Sequence, residues 1–304
     1  MKKIILILCT VLLIVGCNNT EQQLRERAYE LCKYIPDHTL LKQSKDYLTD
    51  DFYAILDTMF NLPEHEAMDH EWLYYFVTSN GGTIANYEVV KVEITGPKNA
   101  VATINVRQQW EDGTFDDMSD IEEHRLYMEK VNNEWLMSDF DEHKADCIRY
   151  IEINRQEQAV RQAISNYLID EIGVHYLQGE LCIPTLMMVY ETDSCVWGDF
   201  WIFWYNRSGD TLKTVSGGNH AGLISLYKEK NTIKVRAFEQ VKDGTNFLSS
   251  AKQIFGKHYD IFCNMHSNME VVNAVRQEQL REYIHRTGLS VTYYQDYGWP
   301  AVKL

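Results

Sequence analysis

Ser216-Gly217-Gly218-Asn219-His220 is the stretch whose residue types could do chemistry most directly. Paired glycines permit positive φ and let a backbone approach a ligand closely, and the neighbouring imidazole titrates near neutral pH. With a carboxylate such as Asp199 or Asp296 to orient it, His220 could act as the acid–base group of a hydrolase. The stretch lacks both the glycine spacing and the following Lys of a phosphate-binding loop. Its plainer reading is a tight strand-to-strand turn whose His faces solvent or caps a backbone group. Cys195 offers a thiol, but its surroundings, DSCVWGDFWIFWYN, read as strand and not as the helix N-terminus that would stabilise a thiolate.

A second set is the aromatic band Trp197, Phe200, Trp201, Phe203, Trp204 and Tyr205, with Tyr293, Tyr294, Tyr297 and Trp299 further on. Exposed coplanar rings grip sugars, and Asp199 or Asp296 could bond the hydroxyls. The candidate ligand-binding residues are therefore Trp201, Asn219, His220, Tyr297 and Trp299. Both parities of 196–205 are apolar, so a strand covered on both faces is the alternative. The stretch EDGTFDDMSDIEE, residues 111–123, misses the calcium-loop spacing, and His65, Glu66 and His70 in EHEAMDHE miss the zinc spacing by one residue. No metal and no cofactor is expected.

The chain has 304 residues and a formal net charge of −15. Residues 17–150 hold 27 acidic and 12 basic side chains, whereas 151–304 hold 17 and 15. That shift marks a domain boundary near residue 150. No Lys/Arg cluster suited to a phosphate backbone occurs, so nucleic acid is excluded as a partner.

Residues 1–17 read MKKIILILCTVLLIVGC: two lysines, an apolar run too short for the roughly 20 residues of a membrane-spanning helix, then a cysteine. Ile14-Val15-Gly16-Cys17 resembles the bacterial lipobox. The resemblance implies a signal peptide over 1–16, cleavage before Cys17, acylation of that cysteine, and a short tether over 17–22. Two or three acyl chains anchor stably, since each buried methylene contributes about 0.8 kcal/mol. Asn18 resembles the outer-membrane class of such envelope lipoproteins. Five cysteines remain in the exported body. Cys32 with Cys147 and Cys182 with Cys195 are the expected disulfides in an oxidising compartment; five small buried hydrophobes are the alternative.

Leu24, Ala28, Leu31 and Ile35, then Phe52, Ile55, Leu56 and Met59 after Thr49, carry helical spacing. Beyond residue 86 the period becomes two: Val90, Val92, Ile94; Ala102, Ile104, Val106; Leu126, Met128; and Trp135, Met137 after a hairpin at Asn132-Asn133. Helices first, then a meander ending in RLYMEKVNNEWLMSDF, resemble the α+β cone of nuclear-transport-factor-like and ketosteroid-isomerase-like proteins, over residues 23–150. The resemblance implies a pocketed cone and is silent on activity, although His124 with Glu122, on the face of Leu126 and Met128, could form an acid–base pair of the ketosteroid-isomerase kind.

Residues 151–304 form a second α+β domain, read as an elaborated cone. An amphipathic helix through Ile164 and Leu168 opens it, and strands follow at 181–191, 195–206, 211–215, 222–228 and 232–241. Helices at 249–262 and 269–286, the latter capped by Gly288, precede a final strand at 289–294. The functional expectation is a non-catalytic envelope lipoprotein, held to the membrane by its lipid and binding a small molecule, a glycan or a protein. A hydrolase centred on His220 and a purely structural interaction protein are the alternatives.

Overall fold

The alternation after residue 86 forms a sheet because every strand but the first has one apolar parity to bury. In the computed structural model, which describes residues 20–33, 40–62, 72–77, 83–109, 114 and 121–304, four strands make an antiparallel meander in chain order. They are β1 (Thr83–Ile94), β2 (Asn99–Gln109), β3 (Ile121–Val131) and β4 (Glu134–Phe140). In β1 a bulge after Val89 buries that residue and leaves Val90 and Ile94 exposed. Ala102, Ile104, Val106, Leu126, Met128 and Met137 fill one face. Asn132 and Asn133, at φ 49° and 73°, make the β3–β4 turn with the two left-handed residues that suit strand twist. Helix α1 (residues 20–32), a 3₁₀ turn (Leu41–Tyr47), α2 (Asp50–Phe60) and α3 (Trp72–Val77) bring Leu24, Leu31, Phe52, Leu56 and Leu73 to the same core. Each such side chain contributes roughly 1.5–3 kcal/mol when fully buried. The signal segment with Cys17, the segment holding His65, Glu66 and His70, and most of the acidic stretch lie outside the described residues.

The chain divides into two compact units, Met1–Ile153 and Asn154–Leu304. Helix α4 (His143–Tyr167) begins before that division, where the sequence suggests a helix only after it, and runs on through a π turn (Leu168–Ile172) and a 3₁₀ turn (Gly173–His175).

The second unit is built on β5 (Leu181–Cys182), β6 (Thr185–Thr192), β7 (Cys195–Ser208), β8 (Thr211–Glu229), β9 (Thr232–Gln240), β10 (Tyr293–Gln295) and β11 (Val302–Lys303). The order is β11-β10-β8-β7-β5, with β6 also on β7 and β9 also on β8. All pairs are antiparallel except β10 with β8. Both chain segments thus have mixed helix and antiparallel sheet, the α+β class.

Two expectations are corrected here. The stretch 216–220 is not a turn, because β8 runs unbroken through it and His220 stands opposite Phe200 on β7. Neither Gly217 nor Gly218 has positive φ. They are glycines because a Cβ on Gly217 would lie 2.5 Å from the Ile202 carbonyl oxygen, and one on Gly218 would lie 2.0 Å from the Tyr176 hydroxyl. The expected helix 249–262 is two helices, α5 (Phe247–Phe255) and α6 (Tyr259–His266), broken at Gly256 with φ 51°. Helix α7 (Met269–Thr287) ends at left-handed Gly288, as its sequence indicates.

Both faces of β7 are covered. Phe200 and Ile202 join Ile164 of α4 and Leu168 of the π turn on one face. Phe203 and Tyr205 meet Leu280 of α7 and Tyr294 on the other, where Ala221 also packs with Ala251, Phe255 and Phe262. Phe200, Phe203 and Tyr205 of the aromatic band are therefore core, and Trp197, Trp201 and Trp204 pack partly buried against it.

All five described cysteines are free thiols, so the expected disulfides are not formed. Cys182 pairs with Trp204 at the far end of β7 from Cys195. Nine residues of strand, about 30 Å at roughly 3.3 Å per residue, separate the two. Cys32 and Cys147 sit as small hydrophobes in the first core, where burial pushes their thiols up to about 12 and about 11.

Candidate functional site

Strand alternation decides which candidates can meet. Phe200 and His220 face one way; Asp199, Trp201, Asn219 and Ala221 face the other. His220 therefore meets neither Asp199 nor the cluster that holds Asp296. Its Nε2 is 2.8 Å from the Tyr176 hydroxyl and its Nδ1 is 3.0 Å from Gln240 Oε1, with the tyrosine ring edge-on. A neutral imidazole satisfies both contacts, donating from Nδ1 to Gln240 and accepting at Nε2 from Tyr176. Burial, then Asp243, raise the Tyr176 hydroxyl above its ordinary value and keep it a donor. Replacing His220 by Ala removes two neutral hydrogen bonds at a half-buried place. The variant is expected to fold and to lose about 1–2 kcal/mol in urea unfolding; complete unfolding would contradict this account.

On the opposite face Asp199 is fully buried. Asn219 on β8 donates its amide to Oδ1, and His266, the last residue of α6, places Nδ1 3.1 Å from Oδ2. Trp201 stands across from Asn219 and stacks on Phe203 at 5.9 Å. Its indole Nε1 is buried and has no hydrogen-bond partner among the described residues.

The third cluster centres on Arg276 of α7, which is 3% exposed. Its guanidinium donates to both oxygens of Asp296 at 2.9 Å, to the Thr214 hydroxyl at 2.8 Å and to the Tyr205 hydroxyl at 2.8 Å. It also lies 3.7 Å from the Phe203 ring centre. Burial alone would raise the Asp296 carboxyl; the bonds from Arg276 and Thr214 outweigh it and hold the group below its ordinary value. Asp296 starts the turn that carries Tyr297, 97% exposed, and Trp299, 72% exposed. That turn is fixed from within: the Trp299 N–H donates to the Asp296 carbonyl, Gln295 donates to the Trp299 carbonyl at 2.9 Å, and Gly298 takes φ 78°.

In the first unit, buried His124 holds Nδ1 2.6 Å from Asp141 Oδ2, and its Nε2 is 3.5 Å from a Glu122 oxygen, beyond good hydrogen-bonding range. Asp141 also accepts the Arg125 backbone N–H, so this carboxylate ties the β4–α4 corner to β3. On the outer face of the sheet, a shallow trough of about 430 Å³ is lined by Lys91, Glu93, Thr103, Glu123, Arg125 and Tyr127 among others. His124, on the inner parity of β3, does not line it.

Arg276, His266, Gln240, Tyr176 and Asp141 are the residues a sequence reading passes over. The signal for Arg276 is its place in the line Val272-Arg276-Leu280, spaced by four and buried throughout. Among the described residues no group of three metal-ligating side chains converges, and no helix is long and apolar enough to cross a membrane. No protein-family model matches the chain, and no curated protein matches it. A solved structure described as an Ntf2-like protein involved in plasmid conjugation is similar at 9% identity, covering 70% of this chain and 95% of that one, with a TM-score of 0.18.

Proposed function

We propose that this chain is a lipid-anchored protein of the bacterial cell envelope, attached through Cys17 to the outer membrane, which binds a protein partner without turning over a substrate. Its first unit is read as a cone of the nuclear-transport-factor-like kind, supported by helices that precede a four-stranded meander. The observation that carries the binding reading is the turn at Asp296–Trp299. It displays Tyr297 almost entirely and Trp299 largely to solvent while its backbone is tied down. Aromatic side chains on a preorganised element are the residue types that dominate protein–protein affinity. A projecting turn does not enclose a small molecule, which binds in concave sites. In the second unit, Asp199, Asn219, His220 and Asp296 all make internal bonds, as in a polar network that sets a fold.

One fractionation experiment tests both halves of the reading. Full-length wild type, Cys17→Ser and the double variant Tyr297→Ala/Trp299→Ala are expressed in the producing cell and cross-linked. Wild type is expected in the membrane fraction with a discrete cross-linked species. Cys17→Ser leaves that fraction, and the double variant stays in it but loses the cross-link, with an affinity deficit of about thirtyfold or more, the effect of losing a hot spot. Unchanged fractionation of Cys17→Ser would sink the anchor. An undiminished cross-link in the double variant would sink the docking turn.

A further inference from the structure

We propose that the Asp199–His266 contact is a pH-released clasp that fastens α6 to the sheet of the second unit. Asp199 occupies a position in mid-β7 from which water is excluded. Each of its oxygens has one described donor, and the two donors differ in kind. Asn219 is on β8, within the sheet itself, and stays in place whatever α6 does. His266 is on α6, so its bond is the one that joins two layers.

The imidazole is suited to that role. Its side chain is 31% exposed while that of Asp199 is 0% exposed, so solvent reaches the ring and not the carboxylate. It ends an eight-residue helix, whose C-terminal carbonyls favour a cation. Of the surrounding elements, α5 presents the Phe247 ring at 5.4 Å, α6 its own Phe262 at 5.1 Å, β8 presents Asn219 and Ala221, α7 carries Glu270 in its first turn, and β7 presents Asp199, the charged group that acts on the ring. The hydrogen bond to Asp199, opposed by burial, raises the His266 imidazolium above its ordinary 6.5.

The sign follows from linkage. A histidine raised in the folded state contributes its full stabilisation below about 6.5 and loses it as pH climbs through the folded value. Above that window a buried carboxylate keeps a neutral amide and a neutral ring but no opposite charge, the arrangement that low-dielectric surroundings penalise most. Opening α6 relieves it by letting water reach Asp199. The same opening uncovers Phe262, which stacks on Phe255 at 4.0 Å. The clasp is independent of the aromatic turn and stands or falls without it.

Hydrogen exchange of the full chain between pH 6 and pH 8.5, corrected for intrinsic rates, tests the clasp. Protection of amides 259–266 is expected to fall by up to about tenfold per pH unit across the window, while the centres of β7 and β8 hold theirs. His266→Gln keeps a neutral donor and should give α6 a low protection that no longer depends on pH. Asn219→Ala leaves Asp199 to His266 alone and should extend the fall in protection to higher pH without exceeding about tenfold per unit, the limit for one proton. A His266 ring titrating at or below 6.5 in wild type, or the same pH dependence in His266→Gln, would overturn the proposal; the wild-type ring titration decides even if a variant fails to fold.

Discussion

Arg276→Ala should lower the stability of the second unit by about 3–5 kcal/mol, the range for breaking a buried, hydrogen-bonded ion pair. The guanidinium bonds Asp296, Thr214 and Tyr205 at once, from a helix to β8, to β7 and to the C-terminal strand pair. Removing it leaves the Tyr205 hydroxyl, fully buried, without that partner, which costs about 1–3 kcal/mol by itself. The rings of Phe203 and Tyr294 lose the cation stacked between them. Asp296 moderates the effect, because its side chain is partly exposed and can rehydrate. Arg276→Lys should recover only part of the loss, since an ammonium cannot span two carboxylate oxygens and two hydroxyls in one plane. Urea unfolding measures this as a lower midpoint at unchanged slope. The depressed Asp296 carboxyl adds a pH signature: the pair stabilises above the ordinary carboxylate range and fades as pH falls through the folded value. A loss below about 1 kcal/mol would mean that the contact is idle and that the aromatic turn is held by its own backbone.

Gly222→Ala is the second large effect, at about 3 kcal/mol, the upper end for overpacking. A Cβ there would sit 2.2 Å from the Glu239 carbonyl oxygen and 3.0 Å from the Gln240 Cα. Both are backbone of β9, and Gly222 pairs with Gln240 in the ladder, so relief requires β9 to leave its place. Gly218→Ala makes the informative contrast. Its Cβ meets the Tyr176 hydroxyl, the end of a side chain that can swing away at the loss of one bond to His220. Melting temperatures of the two variants should differ clearly, Gly222→Ala being lower; equal values would show that β9 yields freely.

What could be read in the sequence was what depends on neighbours along the chain. The period-two runs gave β2 to β4 because each buries one parity, and Asn132-Asn133 announced a turn because both residues tolerate left-handed backbone. In β1 a bulge between Val89 and Lys91 buries Val89 and leaves Val90 and Ile94 of the expected parity exposed. Gly217-Gly218 misled for a related reason: glycine signals a need for space or for unusual φ, and only the fold tells which. The parallel β10–β8 pair and the break at Gly256 depend on contacts that periodicity does not carry. The same holds for the site. His220 and Asp199 looked like partners because they are close in a β-rich stretch, yet opposite parities put them on opposite sides of the sheet. The true partner of Asp199, His266, lies on a helix 67 residues away. A carboxylate amid Phe200, Trp201 and Ile202 was still a sign that some distant donor had to answer it.

The 19-residue β8 also fixes where this protein can be interrupted. It is the common rail of the second unit: β7 lies along one side, while β10 and β9 share the other at its two ends. An epitope tag, a protease site or a split-protein junction placed in 216–220, where the sequence suggests a harmless turn, would break the rail between the part that pairs with β10, residues 211–213, and the part that pairs with β9, residues 222–229. The joints at Gly209 and Lys230, both in left-handed conformation between adjacent strands, leave the rail whole and are the places for such engineering.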